Sequence, residues 1–272
     1  MKSKIDTETL TIQNQYIFAE VMRNERICRG FLQRALPEIP IGRLEYIESE
    51  KTHNVAADAH GIRVDIYAED NQRVYDVEMQ VQNEGDLSRR SRYSASLLDE
   101  MSLERGGRSY NILRDSIVIF ICVFDPFGKG RKKYTFQNTC AEEPDLLLGD
   151  GATKIFLNAT GTNGEITPEL QSFLNYVVGK PPADDFVREI DGAVGQARKD
   201  RRVRAMISKA EMDFNTRMEN ATRRGLEEGM QKGLQQGMAI VDKERKRADA
   251  AELEVQRLKA ELEELKKRLA DS

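Results

Sequence analysis

Apolar positions in the first forty residues recur at helical spacing. Phe18, Val21, Met22, Ile27, Phe31, Leu32 and Ala35 recur mostly at three- and four-residue spacing, which predicts one helix over residues 13–36, stopped by Pro37. Residues 44–49 are a candidate strand. Over 62–68 the pattern changes to strict alternation. Ile62, Val64, Ile66 and Ala68 fall on one face, and Arg63, Asp65 and Tyr67 on the other. Residues 69–72 are a polar turn, and 73–81 alternate again. Tyr75, Val77, Met79 and Val81 share one face, opposite Asp76, Glu78 and Gln80. Two alternating runs across a short polar turn predict a β-hairpin. Residues 87–105 read as a helix closed by Gly106 and Gly107. Residues 116–124 are apolar on both faces, as a central, covered strand is. A strand over 154–158 and a helix over 168–178 follow. This order predicts an α/β or α+β domain with helices packed on a sheet.

After Pro181-Pro182 the pattern reads helical to the end and aromatics nearly vanish. Gly225, Gly229, Gly233 and Gly237 fall at intervals of four, a slowly drifting stripe on a helix. Each glycine costs about 1 kcal/mol against alanine in a helix interior. Two readings fit: close approach of another helix, or a loose helical linker. Charged residues between the glycines exclude a membrane pairing motif. Farther on, Val255, Leu258, Leu262, Leu265 and Leu269 step by three and four, an a/d seam that Ala248 and Ala251 extend toward Val241. Residues 242–272 carry nine basic and nine acidic side chains. A short coiled coil, and hence a homo-oligomer, is the favoured reading; a solitary charged helix is the other. The chain therefore divides into 1–180, a helical extension over 181–240 with the glycine-stepped helix, and a coiled coil over 241–272.

Composition narrows the function. The chain has 272 residues, 39% hydrophobic and 32% charged, enough for one ordinary core of roughly 180 residues. Mean hydropathy is −0.59, and the longest apolar run, 117–124, has strand length, so no membrane span is expected. The start, MKSKIDTETL, lacks an apolar signal core. Cys28, Cys122 and Cys140 form no CxxC pair, which fits a reducing cytoplasm, with Cys122 packed in the apolar strand. His53 and His60, the only histidines, lack ligand partners at metal spacing and read as surface residues. With a net charge of −4, any nucleic-acid role rests on local basic patches.

The hairpin carries the best candidate chemistry. Asp65 on one strand and Glu78 and Gln80 on the next lie opposite the apolar faces, so normal pairing can point them into one cleft. Two converging carboxylates repel unless a cation joins them. Hard oxygen ligands suit Mg²⁺ or Mn²⁺, which lowers the pKa of a bound water and polarises a phosphoryl oxygen. On spacing alone, a strand with one solvated face is the commoner explanation. Asp76, on the same face, reads as flanking an exposed strand end. Arg89, Arg90, Arg92 and Tyr93 open the next helix, where they fit either phosphate neutralisation and stacking or a solvated helix start. The basic stretches GKGRKK, at 128–133, and RKDRRVR, at 198–204, read as solvated segments.

The stretches GIRVDIYAEDNQRVYDVEMQ, LSRRSRYSASLLDEMSLERGG, SIVIFICVFDPFG and YTFQNTC resemble the Rpn family of recombination-promoting nucleases, also described as transposases, within the PD-(D/E)XK superfamily. The resemblance runs from about residue 13 to 178, and the tail GLEEGMQKGLQQGM is similar to tails common there. It implies a restriction-endonuclease-like αβββαβ core followed by a helical C-terminal tail with a short coiled coil. It implies a metal-dependent DNA endonuclease, an Mg-dependent deoxyribonuclease. The superfamily's aspartate falls on Asp65, and its E-x-K position on Glu78-Met79-Gln80. Asp65, Glu78 and the Met79 carbonyl would hold Mg²⁺ or Mn²⁺, and Gln80 would orient the attacking water. Glutamine, standing where the superfamily has lysine, cannot act as a general base. Arg92-Tyr93 resembles the family's Arg-Tyr pair. The family's first helix often carries an acidic residue where this chain has Gln15, and Glu20, one turn on, reads as solvated. The alternative is a catalytically weak or inactive DNA-binding or assembly module on a nuclease fold.

Overall fold

The computed structural model describes residues 6–52, 63–104 and 109–270. The side chain of Asn14 accepts from the amides of Tyr16 and Ile17 at 3.1 and 3.3 Å and opens α1 (Gln15–Met22). Asn24 does the same for Arg26 and Ile27, at 3.1 and 3.3 Å, and opens α2 (Glu25–Ala35). The single helix expected over 13–36 is thus two. The apolar spacing lapses over the polar, exposed Arg23-Asn24-Glu25-Arg26, with a step of five from Met22 to Ile27, and Asn24 starts the second helix there.

The sheet has six strands: β1 (Tyr46–Thr52), β2 (Arg63–Glu69), β3 (Arg73–Gln80), β4 (Asp115–Cys122), β5 (Lys133–Phe136) and β6 (Ala152–Asn158), in the order β1-β2-β3-β4-β6-β5. β1, β2 and β3 pair antiparallel; β3, β4 and β6 pair parallel; β5 closes the edge antiparallel to β6. The parallel step from β3 to β4 is crossed by α3 (Leu87–Glu104). β5 has no counterpart in the sequence reading. At four residues it is too short to show a period, and Lys133, read as part of a basic loop, instead donates to the Ala35 carbonyl at 2.9 Å.

Both faces of the sheet are covered. Ile66, Tyr75, Val77 and Ile119 pack with α1, α2, α4 (Pro168–Val177) and α5 (Asp185–Lys199) in the larger core. Tyr67, Val74, Val118 and Phe120 pack with Leu97 and Leu98 of α3 in the smaller one. This is a three-layer α/β arrangement. α5 sits close on α2: a Cβ at Gly30 would lie 2.5 Å from the Phe186 ring.

α6 (Arg201–Ala270) follows, and its Val203 and Ile207 still belong to the larger core. The compact unit accordingly runs through Ser208 rather than closing near 180, because Phe186, Ile190 and Val194 of α5 are core residues. In the basic stretch 198–204, Arg198 donates to the Leu10 carbonyl and Arg202 pairs with Glu20 at 2.7 Å. Those two arginines thus tie elements of the domain together. The second unit, Lys209–Ser272, is described over its helical part, with Leu258, Leu262 and Leu265 exposed. No described helix is long and apolar enough to cross a membrane. His53, His60 and the expected Gly106-Gly107 helix stop lie outside the described residues.

Candidate active site

β2 and β3 pair regularly from Glu69↔Val74 to Ile66↔Val77. One residue farther, side chains take over. The Asp65 amide donates to Glu78 Oε1 at 3.2 Å, and the Met79 amide donates to Asp65 Oδ2 at 3.2 Å. Each carboxylate therefore caps the other strand. In an extended strand a residue's N–H and C=O point to the same side, so the Met79 carbonyl faces β2 as its amide does. The Gln80 carbonyl, pointing the other way, accepts from Val123 at 3.1 Å.

Asp76, Glu78 and Gln80 all face α3, and they are buried: 0%, 1% and 8% exposed. This corrects the view of Asp76 as flanking an exposed strand end. The polar face is not solvated; it is roofed by a helix. Alternation shows that one strand face is polar, but not what covers it.

The roof supplies a cation. Arg90 on α3 donates from Nη1 to Gln80 Oε1 at 3.0 Å and from Nη2 to Glu78 Oε2 at 3.2 Å. The Gln80 amide lies 3.5 Å from the same Glu78 oxygen. The guanidinium also lies 5.8 Å from the Phe120 ring centroid. Position 90 is set by the first turn of α3, where the Asp86 carbonyl accepts from the Arg89 and Arg90 amides. Arg89 and Arg92 are exposed on the same helix, and Tyr93 is half-buried against the smaller core. Of the four basic and aromatic candidates, only Arg90 joins the carboxylates. Glu20 is engaged elsewhere, with Arg202.

The cluster is crowded with negative charge. Burial pushes the Glu78 carboxyl well above its ordinary range, and Asp76 and Asp65 push it further, outweighing Arg90. Burial likewise raises Asp76, to about 7, with Asp65 adding to the rise. Both Asp76 oxygens are buried without a hydrogen-bond partner; Ser94 and Glu78 are near, but neither makes a bond of good geometry. A cation would relieve this crowding. Among the described residues no three His, Cys, Asp or Glu side chains form a metal cage by themselves. Two carboxylates and a carbonyl are hard oxygen donors of the kind a divalent cation takes.

A covered mixed sheet with an aspartate and a Glu-x-Gln at the open end of two neighbouring strands defines a PD-(D/E)XK nuclease-type α/β fold. Enzymes of this fold generally use divalent metals. The chain belongs to the PD-(D/E)XK nuclease family transposases, whose family model matches residues 14–158, more than half its length. No curated protein and no solved structure matches the chain.

Proposed function

We propose that the protein is a metal-dependent DNA endonuclease that hydrolyses phosphodiester bonds. The observation that carries this reading is the reciprocal capping of β2 and β3 by Asp65 and Glu78, with the Gln80 amide 3.5 Å from Glu78. Asp65, Glu78 and the Met79 carbonyl would hold Mg²⁺ or Mn²⁺. When bound, the metal supplies a more acidic water and an electrophile for the phosphoryl oxygen. Gln80 orients the attacking water and, having no titratable proton, leaves deprotonation to other groups. Arg90 is a positioning residue: its fork fixes the Gln80 amide and one Glu78 oxygen together. The positive charge that a lysine at position 80 would bring arrives instead from α3. Exposed Arg89 and Arg92, with Tyr93, contact the DNA backbone. Self-association through the C-terminal seam lets two sites address two strands. We infer cleavage rather than strand transfer, in a reducing, cytoplasmic setting that fits three free cysteines.

Plasmid nicking with Mg²⁺ tests this. The wild type nicks, and Asp65→Asn and Glu78→Gln do not. Equal nicking by all three removes the assignment. One observation favours a second reading, a DNA-binding module with little or no catalysis: the acceptor oxygen of Gln80 is already occupied by Arg90. Salt-dependent DNA binding without cleavage in any divalent metal, and without metal binding by calorimetry, selects that reading.

A further inference from the structure

The exposed seam of α6 carries information about orientation. Val255, Leu258, Leu262 and Leu265 are 48%, 55%, 54% and 57% exposed, so the a/d stripe is uncovered within its own unit. With Ala248, Val255 and Leu262 at a, and Ala251, Leu258 and Leu265 at d, the flanking g positions are Arg247, Glu254 and Glu261. The e positions are Arg245, Glu252, Lys259 and Lys266.

In a parallel, in-register pair each g residue faces the e residue five positions on in the other copy. The facing pairs are Arg247 with Glu252, Glu254 with Lys259, and Glu261 with Lys266. Every one is of opposite charge, and two-fold symmetry repeats each. In an antiparallel pair with the seam overlapped, a faces d, so Val255 lies opposite Leu258; g then faces g and e faces e. Glu254 meets Glu261 and Arg245 meets Lys266, both like-charged, and only Glu252 with Lys259 attracts. Present intrahelical partners, Arg257 with Glu261 at 3.3 Å and Lys266 with Glu263 at 3.2 Å, are exposed and weak enough to be exchanged. Charges at e and g add little affinity, but they select orientation and register.

We propose that the uncovered face of α6 between Ala248 and Leu265 docks a second copy of this chain as a parallel, in-register two-stranded coiled coil. This rests on the self-association part of the proposed function and adds the partner's direction. Both chains then enter the pair from the same end, so the two nuclease units are tethered to one end of it.

The test uses the full chain carrying Cys140→Ser, since Cys28 and Cys122 are buried. Ala248→Cys and Leu265→Cys are introduced singly and oxidised, with mass read by light scattering. A parallel pair cross-links each variant to itself. In that pair the separation of 17 positions, about 25 Å of helix, prevents a bond between 248 and 265. A dimer mass with self-cross-linking of Ala248→Cys, the milder substitution, is the expected result. A dimer that cross-links only when the two variants are mixed overturns the orientation and leaves self-association standing. A monomer mass without cross-links overturns both, and a trimer mass overturns the pairing. Independently, Glu254→Lys/Glu261→Lys and Lys259→Glu/Lys266→Glu should each weaken self-association about tenfold, and mixing them should restore it. Both double variants dimerising like wild type overturns the register. None of these readouts depends on nuclease activity.

Discussion

Asp65 and Glu78 each accept a hydrogen bond from a backbone amide of the other's strand: Glu78 Oε1 takes the Asp65 amide, and Asp65 Oδ2 takes the Met79 amide. The same oxygens are the proposed metal donors. Chemistry and sheet integrity are therefore coupled, and the choice of substitution separates them. Asp65→Asn and Glu78→Gln keep a carbonyl oxygen for the amide. They are expected to retain wild-type circular dichroism and to lose Mg²⁺-dependent nicking by about 100-fold or more. Asp65→Ala should also leave an amide unpaired, costing about 1–3 kcal/mol in denaturant unfolding. Full activity in the two amide variants would sink the metal assignment.

Arg90 is expected to act on the chemical step. Arg90→Lys keeps the charge but cannot bridge Gln80 and Glu78 with one planar fork. Single-turnover nicking should slow about tenfold or more while DNA affinity changes less than about threefold. The reverse split, weakened binding with an unchanged rate, would make Arg90 a DNA contact instead.

Acid stability should report on Asp70, in the turn between β2 and β3. Burial opposes its ionisation, but hydrogen bonds from the amides of Gln72 and Arg73, at 2.9 and 2.8 Å, and from the Tyr75 hydroxyl, at 2.9 Å, outweigh it. Its carboxyl is held below the usual range. A depressed carboxyl stabilises fully above its unfolded value, about 3.9, and the benefit fades as pH falls through the folded value. Asp70→Asn should cost about 1 kcal/mol or more at pH 7, with the gap from wild type closing below about pH 4. A gap that does not change with pH in urea titrations would show that the charge is not responsible.

Thiol chemistry offers a simple check on packing. Burial pushes the Cys28 and Cys122 thiols up to about 12. Cys140 is partly exposed and bonds to Glu142 at 3.2 Å. Ellman's reagent at pH 8 should label Cys140 alone in the native protein and all three cysteines in guanidinium. Rapid native labelling of a second cysteine would mean that one of the two cores opens.

The hairpin was legible because alternation is a two-residue signal, and Asp65, Glu78 and Gln80 do fall on one face. What was not legible came from outside each segment. The break at Asn24 coincides with four polar residues, 23–26, which a helical reading bridges as one turn; its signal is an asparagine whose side chain caps. Burial of Asp76 depends on α3, which the strand cannot announce. Arg90 was visible as one arginine of three; only the pitch of α3 separates it from Arg89 and Arg92.

The roof over β3 also decides which members of the charged cluster meet water. Asp76 and Glu78 are sealed beneath α3, whereas Asp65 is half-buried and Arg90 is 26% exposed. The solvent edge of the cluster thus pairs one carboxylate with one guanidinium. In the proposed reaction a phosphate would be drawn by Arg90 and repelled by Asp65 until a cation masked the acid, which would make metal loading the gatekeeper for cleavage.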